Sequence, residues 1–180
     1  MMIRAQIISR ALLAGIFAAS AVAAAAADPA TLLGVNKDWS AFTSGSGGAK
    51  ICYTLAKPVS TDPKKAKRDS IYFIITDWPG RKPKTKSEPE AVPGYLYKDG
   101  ATVAAQVGGG KFEMFAKNDA GAGAAWVRER ADEVRLIEAM KHGKQLVVTG
   151  TSQRGTVTRD TYSLAGLTDA LQKIHEACGM

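Results

Sequence analysis

Residues 70–78, Ser-Ile-Tyr-Phe-Ile-Ile-Thr-Asp-Trp, decide how the rest of the chain is read. Ile71, Phe73 and Ile75 fall on one alternating set, and Tyr72, Ile74 and Trp78 on the other. A run that is apolar on both sets and rich in β-branched and aromatic side chains predicts a central strand covered on both faces. A central strand needs neighbours, and the flanking sequence offers them. On the N-terminal side, Asp38 to Thr43 and Lys50 to Lys57 predict two strands joined by Ser44-Gly45-Ser46-Gly47-Gly48, whose glycines admit positive φ. On the C-terminal side, Pro79 to Pro93 holds four of the chain's seven prolines. That density predicts an exposed loop, because proline cannot donate to a ladder.

Beyond this loop, Val92 to Tyr97, Ala101 to Val107 and Lys111 to Lys117 predict three short strands. They are separated by Lys98-Asp99-Gly100, an Asp-Gly hairpin signal, and by Gly108-Gly109-Gly110. Gly121-Ala122-Gly123-Ala124-Ala125-Trp126 leads into a helix over Asp132 to His142, with Val134, Ile137 and Met140 at three-residue spacing. Asp132 and Glu133 at its start, Lys141 and His142 at its end, and Gly143 just beyond complement the helix dipole and supply a cap. Gln145 to Ser152 and Thr156 to Ser163 predict a second strand pair around Gln153-Arg154-Gly155. The chain then ends in a helix, Leu164 to Cys178, whose Leu164, Leu167, Leu171, Ile174 and Cys178 form one apolar stripe.

Composition sets the frame. The chain has 180 residues, 46% of them hydrophobic, with 18 Gly, 7 Pro and 2 Cys. This excludes a disordered tail, a collagen-like chain and a disulfide-dense scaffold. Met1 to Arg10 carries Arg4 and Arg10 with no acid, Ala11 to Val22 is apolar, and Ala25-Ala26-Ala27 offers a small-residue cleavage site. Residues 1–27 therefore read as a secretory signal peptide, and 28–180 as one mature domain. The apolar run is short of the roughly 20 residues of a membrane span, and the mature protein is expected to carry no transmembrane segment. Its residence is expected to be periplasmic or secreted. In an oxidising compartment the two cysteines most simply form one bridge, Cys52 to Cys178, the alternative being reactive free thiols.

The formal charge of +7 is unevenly spread. Between Lys57 and Lys86 there are nine basic and three acidic residues, whereas the rest of the mature chain is nearly neutral. The excess sits in two stretches on either side of the central strand, Lys64, Lys65, Lys67 and Arg68 before it and Arg81, Lys82, Lys84 and Lys86 after it. They would lie about 25–30 Å apart. An anionic partner, either a protein or an envelope or host surface, is the functional reading, and two solvated loops are the alternative. Nucleic acid fits poorly, since no aromatic residues interleave the basic runs and the protein is expected outside the cytoplasm.

Catalytic chemistry finds little support. His142 reads as a helix-end residue and His175 as exposed on the polar side of the last helix. Two His without metal-ligand spacing predict no metal, and no cofactor is expected. Gly45 to Lys50 lacks the Gly-Lys-Ser/Thr ending of a phosphate loop, and there is no Gly-x-Ser-x-Gly elbow. Glu88 and Glu90 lie in the Pro-rich segment, a poor place for a perturbed carboxylate. Trp39, Trp78 and Trp126 read as core. Gly150 to Thr156 reads first as a hairpin turn and second as a recognition surface.

The mature chain resembles the invasion-associated locus B family of exported alphaproteobacterial proteins. The resemblance is carried by Asp38-Trp39-Ser40, Cys52-Tyr53, Ala125-Trp126-Val127, Ala139-Met140-Lys141-His142-Gly143, and Val148-Thr149-Gly150-Thr151-Ser152-Gln153-Arg154-Gly155-Thr156. It extends through Asp160-Thr161-Tyr162-Ser163-Leu164-Ala165-Gly166 to Cys178, covering residues 36–178. It implies an immunoglobulin-like antiparallel β-sandwich with one or two helices, the last of them C-terminal, which agrees with the seven or eight short strands read from the residues. It also implies envelope or secreted residence and, in some pathogens, an association with host-cell entry, but no active site. The chain keeps only the outer cysteine pair, so no redox role follows from the resemblance, and the Arg81 to Pro93 segment looks particular to this subgroup. The resulting expectation is a non-enzymatic exported protein that acts by binding. The alternatives are a structural or stress-related periplasmic component with no host role and, third, an uncharacterised enzyme.

Overall fold

The computed structural model describes residues 28–64 and 66–180, so the expected signal peptide lies outside the described residues. Eleven strands, β1 (Thr31–Asn36), β2 (Trp39–Ser44), β3 (Ile51–Ala56), β4 (Ser60–Asp62), β5 (Tyr72–Trp78), β6 (Thr85–Val92), β7 (Thr102–Val107), β8 (Gly110–Asp119), β9 (Ala122–Val127), β10 (Gln145–Thr151) and β11 (Val157–Ser163), combine with two helices, α1 (Arg130–His142) and α2 (Leu167–Cys178). The strands form one antiparallel ladder in the order β1-β2-β3-β5-β6-β9-β8-β7-β10-β11-β4. The expected antiparallel sandwich with a C-terminal helix is what the chain adopts, its two layers being parts of this single ladder. The ladder is thinnest between β6 and β9, which share the pairs Glu90–Trp126 and Ala91–Ala125. Strands remote in the order then meet across the interior. Phe73 of β5 stacks edge-on against Tyr162 of β11 at 5.9 Å, and the indole N–H of Trp39 in β2 donates to the Ser163 carbonyl at 3.0 Å.

β5 lies where residues 70–78 placed it, between β3 and β6, but only one of its faces is fully covered. Phe73, Ile75 and Asp77 point into the interior, while Tyr72, Ile74 and Trp78 are half-exposed on an outer face. Of the three tryptophans, Trp39 is in the core, whereas Trp78 and Trp126 are half-exposed on that outer side. An antiparallel sheet needs burial on one side only, and large apolar side chains tolerate the other at partial exposure.

The chief correction concerns the Pro-rich segment. Thr85 to Val92 is a strand in the middle of the ladder, and Pro89 is buried opposite Ile75. Proline is tolerated because Thr85 to Pro89 pairs with β5 alone; β9 joins only at Glu90, so this half of β6 behaves as an edge. The β5–β6 register shifts between Thr76 and Trp78, and Ser87 takes φ 57° at the irregularity. Of Val92 to Tyr97, read as a strand, Val92 ends β6, and the rest is an irregular segment that ends in an isolated bridge from Tyr97 to Ser152. The hairpin falls one turn later, at β7–β8. The Gly/Ala-rich Ala122–Val127 forms β9, since small residues let the chain pass under Tyr95 and Tyr97; a Cβ on Gly123 would sit 2.4 Å from the Tyr95 carbonyl oxygen. Edge strands β1 and β4 were not anticipated.

α2 keeps its predicted stripe. Leu167, Leu171, Ile174 and Cys178 are buried, as is Leu164 just before the helix, and α2 packs on β1, β2, β3 and β5. α1 buries Leu136, Ile137 and Met140, whereas Val134 is exposed. α2 is entered at Gly166, with φ +88°, where a Cβ would stand 2.0 Å from the Asn36 carbonyl oxygen. Only glycine meets both demands.

The predicted bridge is present. Cys52 and Cys178 are joined across 126 residues, and no cysteine is free among the described residues. Cross-linking a loop of this length restricts the unfolded chain by about 4–5 kcal/mol in the chain-entropy model. Replacing both cysteines with alanine is expected to lower unfolding free energy by about 2–5 kcal/mol in urea titrations. Fraying of α2 should precede global unfolding in hydrogen exchange, and an unchanged midpoint would refute the assignment.

Candidate binding surface

The two basic stretches sit at opposite ends of β5, and the structure uses them differently. In the first, Arg68 turns inward. Its guanidinium makes a two-pronged ion pair with Asp160 of β11, at 2.8 and 2.6 Å, and also donates to the Pro93 carbonyl. Both side chains are 4% exposed. Arg68 is therefore an internal strut, and removing its partner would strand a buried charge at a cost of about 3–5 kcal/mol. Lys64 and Lys67 remain on the surface. Residues Ala66–Asp69 line one side of a cavity of about 630 Å³ that is also lined by Gly94–Leu96 and by residues of the Ser152–Thr158 turn. Sequence reading treated the basic run and the hydroxyl-rich turn as separate; the fold brings them together.

In the second stretch Arg81 is also engaged. It lies over the Trp78 ring at 4.0 Å and bonds Glu88 at 2.7 Å, while Glu88 accepts from the Trp78 indole at 2.7 Å. This knot shapes the turn from β5 to β6. Lys82, Lys84 and Lys86 project from it, exposed and without an ion-pair partner among the described residues. Glu88 and Glu90 thus belong to a strand, and desolvation together with the neighbouring Glu88 raises the pKa of Glu90. The expectation of ordinary loop carboxylates fails because the proline segment pairs.

A third cluster escaped sequence reading. Asp77, fully buried, accepts from the Ser87 backbone N–H at 2.8 Å. Ser87 Oγ lies 2.9 Å from His175 Nε2, and the same nitrogen is 3.7 Å from Asp77 Oδ1. Far from being exposed, His175 is thus the polar tie of α2 to β5 and β6. The three residue types are those of a nucleophilic triad, but carboxylate and hydroxyl meet the same ring nitrogen. The acid therefore cannot hold the far nitrogen as a triad requires, and Ser87 is itself buried. The signal that could have found the cluster is Asp77, the one acid in an otherwise apolar strand core. Burial raises the Asp77 pKa to about 6, with the Ser87 N–H, Lys86 and Arg130 opposing it. Burial, then Lys86 and Lys141, lower that of His175 to about 4.

These features define a class: a disulfide-stapled antiparallel β-sandwich closed by its C-terminal helix, with cations concentrated at the two ends of one central strand. Residues 39–175 match the family model described as invasion associated locus B (IalB) protein, and the chain belongs to that family. The crystal structure of invasion associated protein B from Bartonella henselae is similar at a TM-score of 0.55 and 16% identity, covering 80% of this chain and 95% of that one. At this identity the likeness is one of fold. No curated protein matches the chain.

The Asp77–His175 pair yields a test. Asp77 contributes stability that is complete below its unfolded value of 3.8 and lost as pH rises through about 6. His175 contributes stability that is complete above 6.5 and lost as pH falls through about 4. Between these limits folding moves one proton from His175 to Asp77 without changing the number bound, so the pair leaves wild-type stability nearly flat from pH 4 to 6.5. His175→Gln should expose the Asp77 dependence, with stability rising by about 2–3 kcal/mol as pH falls from 7 to 4. Asp77→Asn should reverse the slope. Urea titrations across this range decide it, and parallel profiles for the two variants would refute the pairing.

Proposed function

We propose that the protein is exported and works by binding an anionic partner, at the cell envelope or on a host surface, and not by catalysis. Residues 1–27 are read as a signal peptide removed near Ala27, and residues 28–180 as one mature domain. Membership of a family named for its association with invasion supports the setting. A bridge between Cys52 and Cys178 supports an oxidising compartment.

The observation that carries the binding reading is the β5–β6 turn. There Arg81 is fixed by Trp78 and Glu88, and Lys82, Lys84 and Lys86 stand free around it. Flexible ammonium groups on a rigid turn suit a broad anionic surface, which they would hold with strong salt dependence and modest specificity.

Charge reversal at Lys82 and Lys84 tests this. Lys86 is left in place because it faces the Asp77–His175 pair. Wild-type protein should be retained on anionic liposomes or a sulfated matrix at low salt and released near physiological salt, and K82E/K84E should lose most of that retention with an unchanged unfolding midpoint. Equal retention of the variant would reject the reading and favour a structural envelope role. Mass spectrometry of the exported protein should find Asp28 as the first residue.

A further inference from the structure

The cavity at the other end of β5 has a different character from the lysine turn. Its walls are tied to one another by backbone bonds. Asp69 N–H donates to the Gly94 carbonyl at 3.0 Å, Gln153 N–H to the Leu96 carbonyl at 2.8 Å, and Lys98 N–H to the Thr151 carbonyl at 2.9 Å. The buried Arg68–Asp160 pair braces the base, with Arg68 also reaching Pro93. Tyr95 is fixed at its hydroxyl by Thr158 Oγ1 at 2.7 Å and across its face by the Arg68 guanidinium. The cleft is therefore formed before any ligand arrives, and its volume of about 630 Å³ falls within the roughly 300–1,000 Å³ of small-ligand sites.

The lining specifies what fits. Lys67 and Arg154 are exposed cations that line the cleft from two different chain segments, with no ion-pair partner among the described residues. Asp69 and the Gln153 amide add an acceptor and a mixed donor–acceptor, and Ser152 Oγ, which accepts from the Thr156 N–H at 3.1 Å, keeps its proton to donate. Tyr95 supplies an aromatic edge. A lone phosphate would leave most of the volume and the hydroxyl-matching groups unused. A long polyanion would meet too few cations, and an apolar ligand would strand the polar lining. A ring bearing several hydroxyls and one carboxylate uses every group.

We propose that this cleft is a binding site for an acidic saccharide, a uronic or sialic acid unit, whose carboxylate is held by Arg154 and Lys67 and whose hydroxyls are held by Asp69, Gln153 and Ser152. It is separate from the lysine turn and does not depend on that surface binding anything.

The oxidised protein is screened against glycans ending in uronic or sialic acids and against their neutral counterparts, and hits are titrated by calorimetry. Acidic glycans should bind at least tenfold more tightly than neutral ones. Arg154→Gln and Lys67→Gln, both at exposed positions, should each weaken binding about tenfold and flatten its salt dependence, while K82E/K84E leaves it unchanged. Equal affinity for neutral sugars, wild-type affinity in both cleft variants, displacement by phosphate at equimolar concentration, or no acidic glycan bound at millimolar concentration would each overturn the assignment. Loss of binding in K82E/K84E alone would move the site to the turn and overturn it as well.

Discussion

The seating of α2 against the inner faces of β1, β2, β3 and β5 is the constraint on which the other features rest. Without it the inner faces of these strands, which carry Trp39, Ala41, Cys52 and Ile75, would lose the cover that the helix provides. The stripe Leu167–Leu171–Ile174 supplies the apolar part, at roughly 1.5–3 kcal/mol for each large side chain removed from water. That burial alone would fix the helix only loosely about its axis. Three polar or covalent ties remove the freedom: Cys178 to Cys52, Lys50 Nζ to the Ala177 carbonyl, and His175 to Ser87. All three act on the last turn of the helix, while Gly166 holds its start under Asn36.

This arrangement explains why a carboxylate is tolerated in the core. Asp77 stands directly across the β3–β5 ladder from Cys52, so the disulfide and the Asp77–Ser87–His175 set are neighbours beneath the end of α2. Asp77 Oδ2 has no partner among the described residues. A fully ionised carboxylate there would be costly. Below about pH 6 a proton neutralises it, and above that its bond from the Ser87 N–H, with Lys86 and Arg130, offsets part of the cost of the charge. That bond in turn fixes the irregularity where β6 departs from β5. The positive φ of Ser87 and the register shift beside it thus lie where β6 meets the end of α2.

Elements carrying a strong period or an apolar stripe were legible from sequence: β5, the β2–β3 and β10–β11 hairpins, most of α1 and all of α2. The bridge was legible too, because two cysteines in a chain read as exported leave few options. β6 was hidden by Pro89, whose propensity argues against a strand when the partner strands are unknown; tertiary pairing on one side overrides it. β9 was hidden by its glycines and alanines, which carry no β signal and serve close approach to Tyr95 and Tyr97. Charge was located correctly along the chain but not in space. A count of basic residues cannot reveal that Arg68 has a buried carboxylate 92 residues away or that Arg81 lies flat on Trp78. His175 failed for the same reason, since its partners come from β5 and β6.

With Arg68 buried against Asp160 and Arg81 engaged by Trp78 and Glu88, what remains is two chemically distinct ends. At one, lysines project outward from a convex turn, where each charge is hydrated and any partner must come to them. At the other, two cations face a cleft whose walls are already ordered, so a ligand would meet fixed donors and acceptors with little further ordering to impose. β5 spans seven residues between these ends, about 20 Å at the rise of an antiparallel strand. That exceeds twice the screening length of about 8 Å at physiological ionic strength. The two ends therefore feel each other only weakly, and occupancy of one leaves the electrostatics of the other nearly untouched. On the two readings proposed above, one small sandwich would hold a diffuse anionic surface at one end and an acidic saccharide at the other, with β5 as the spacer between them.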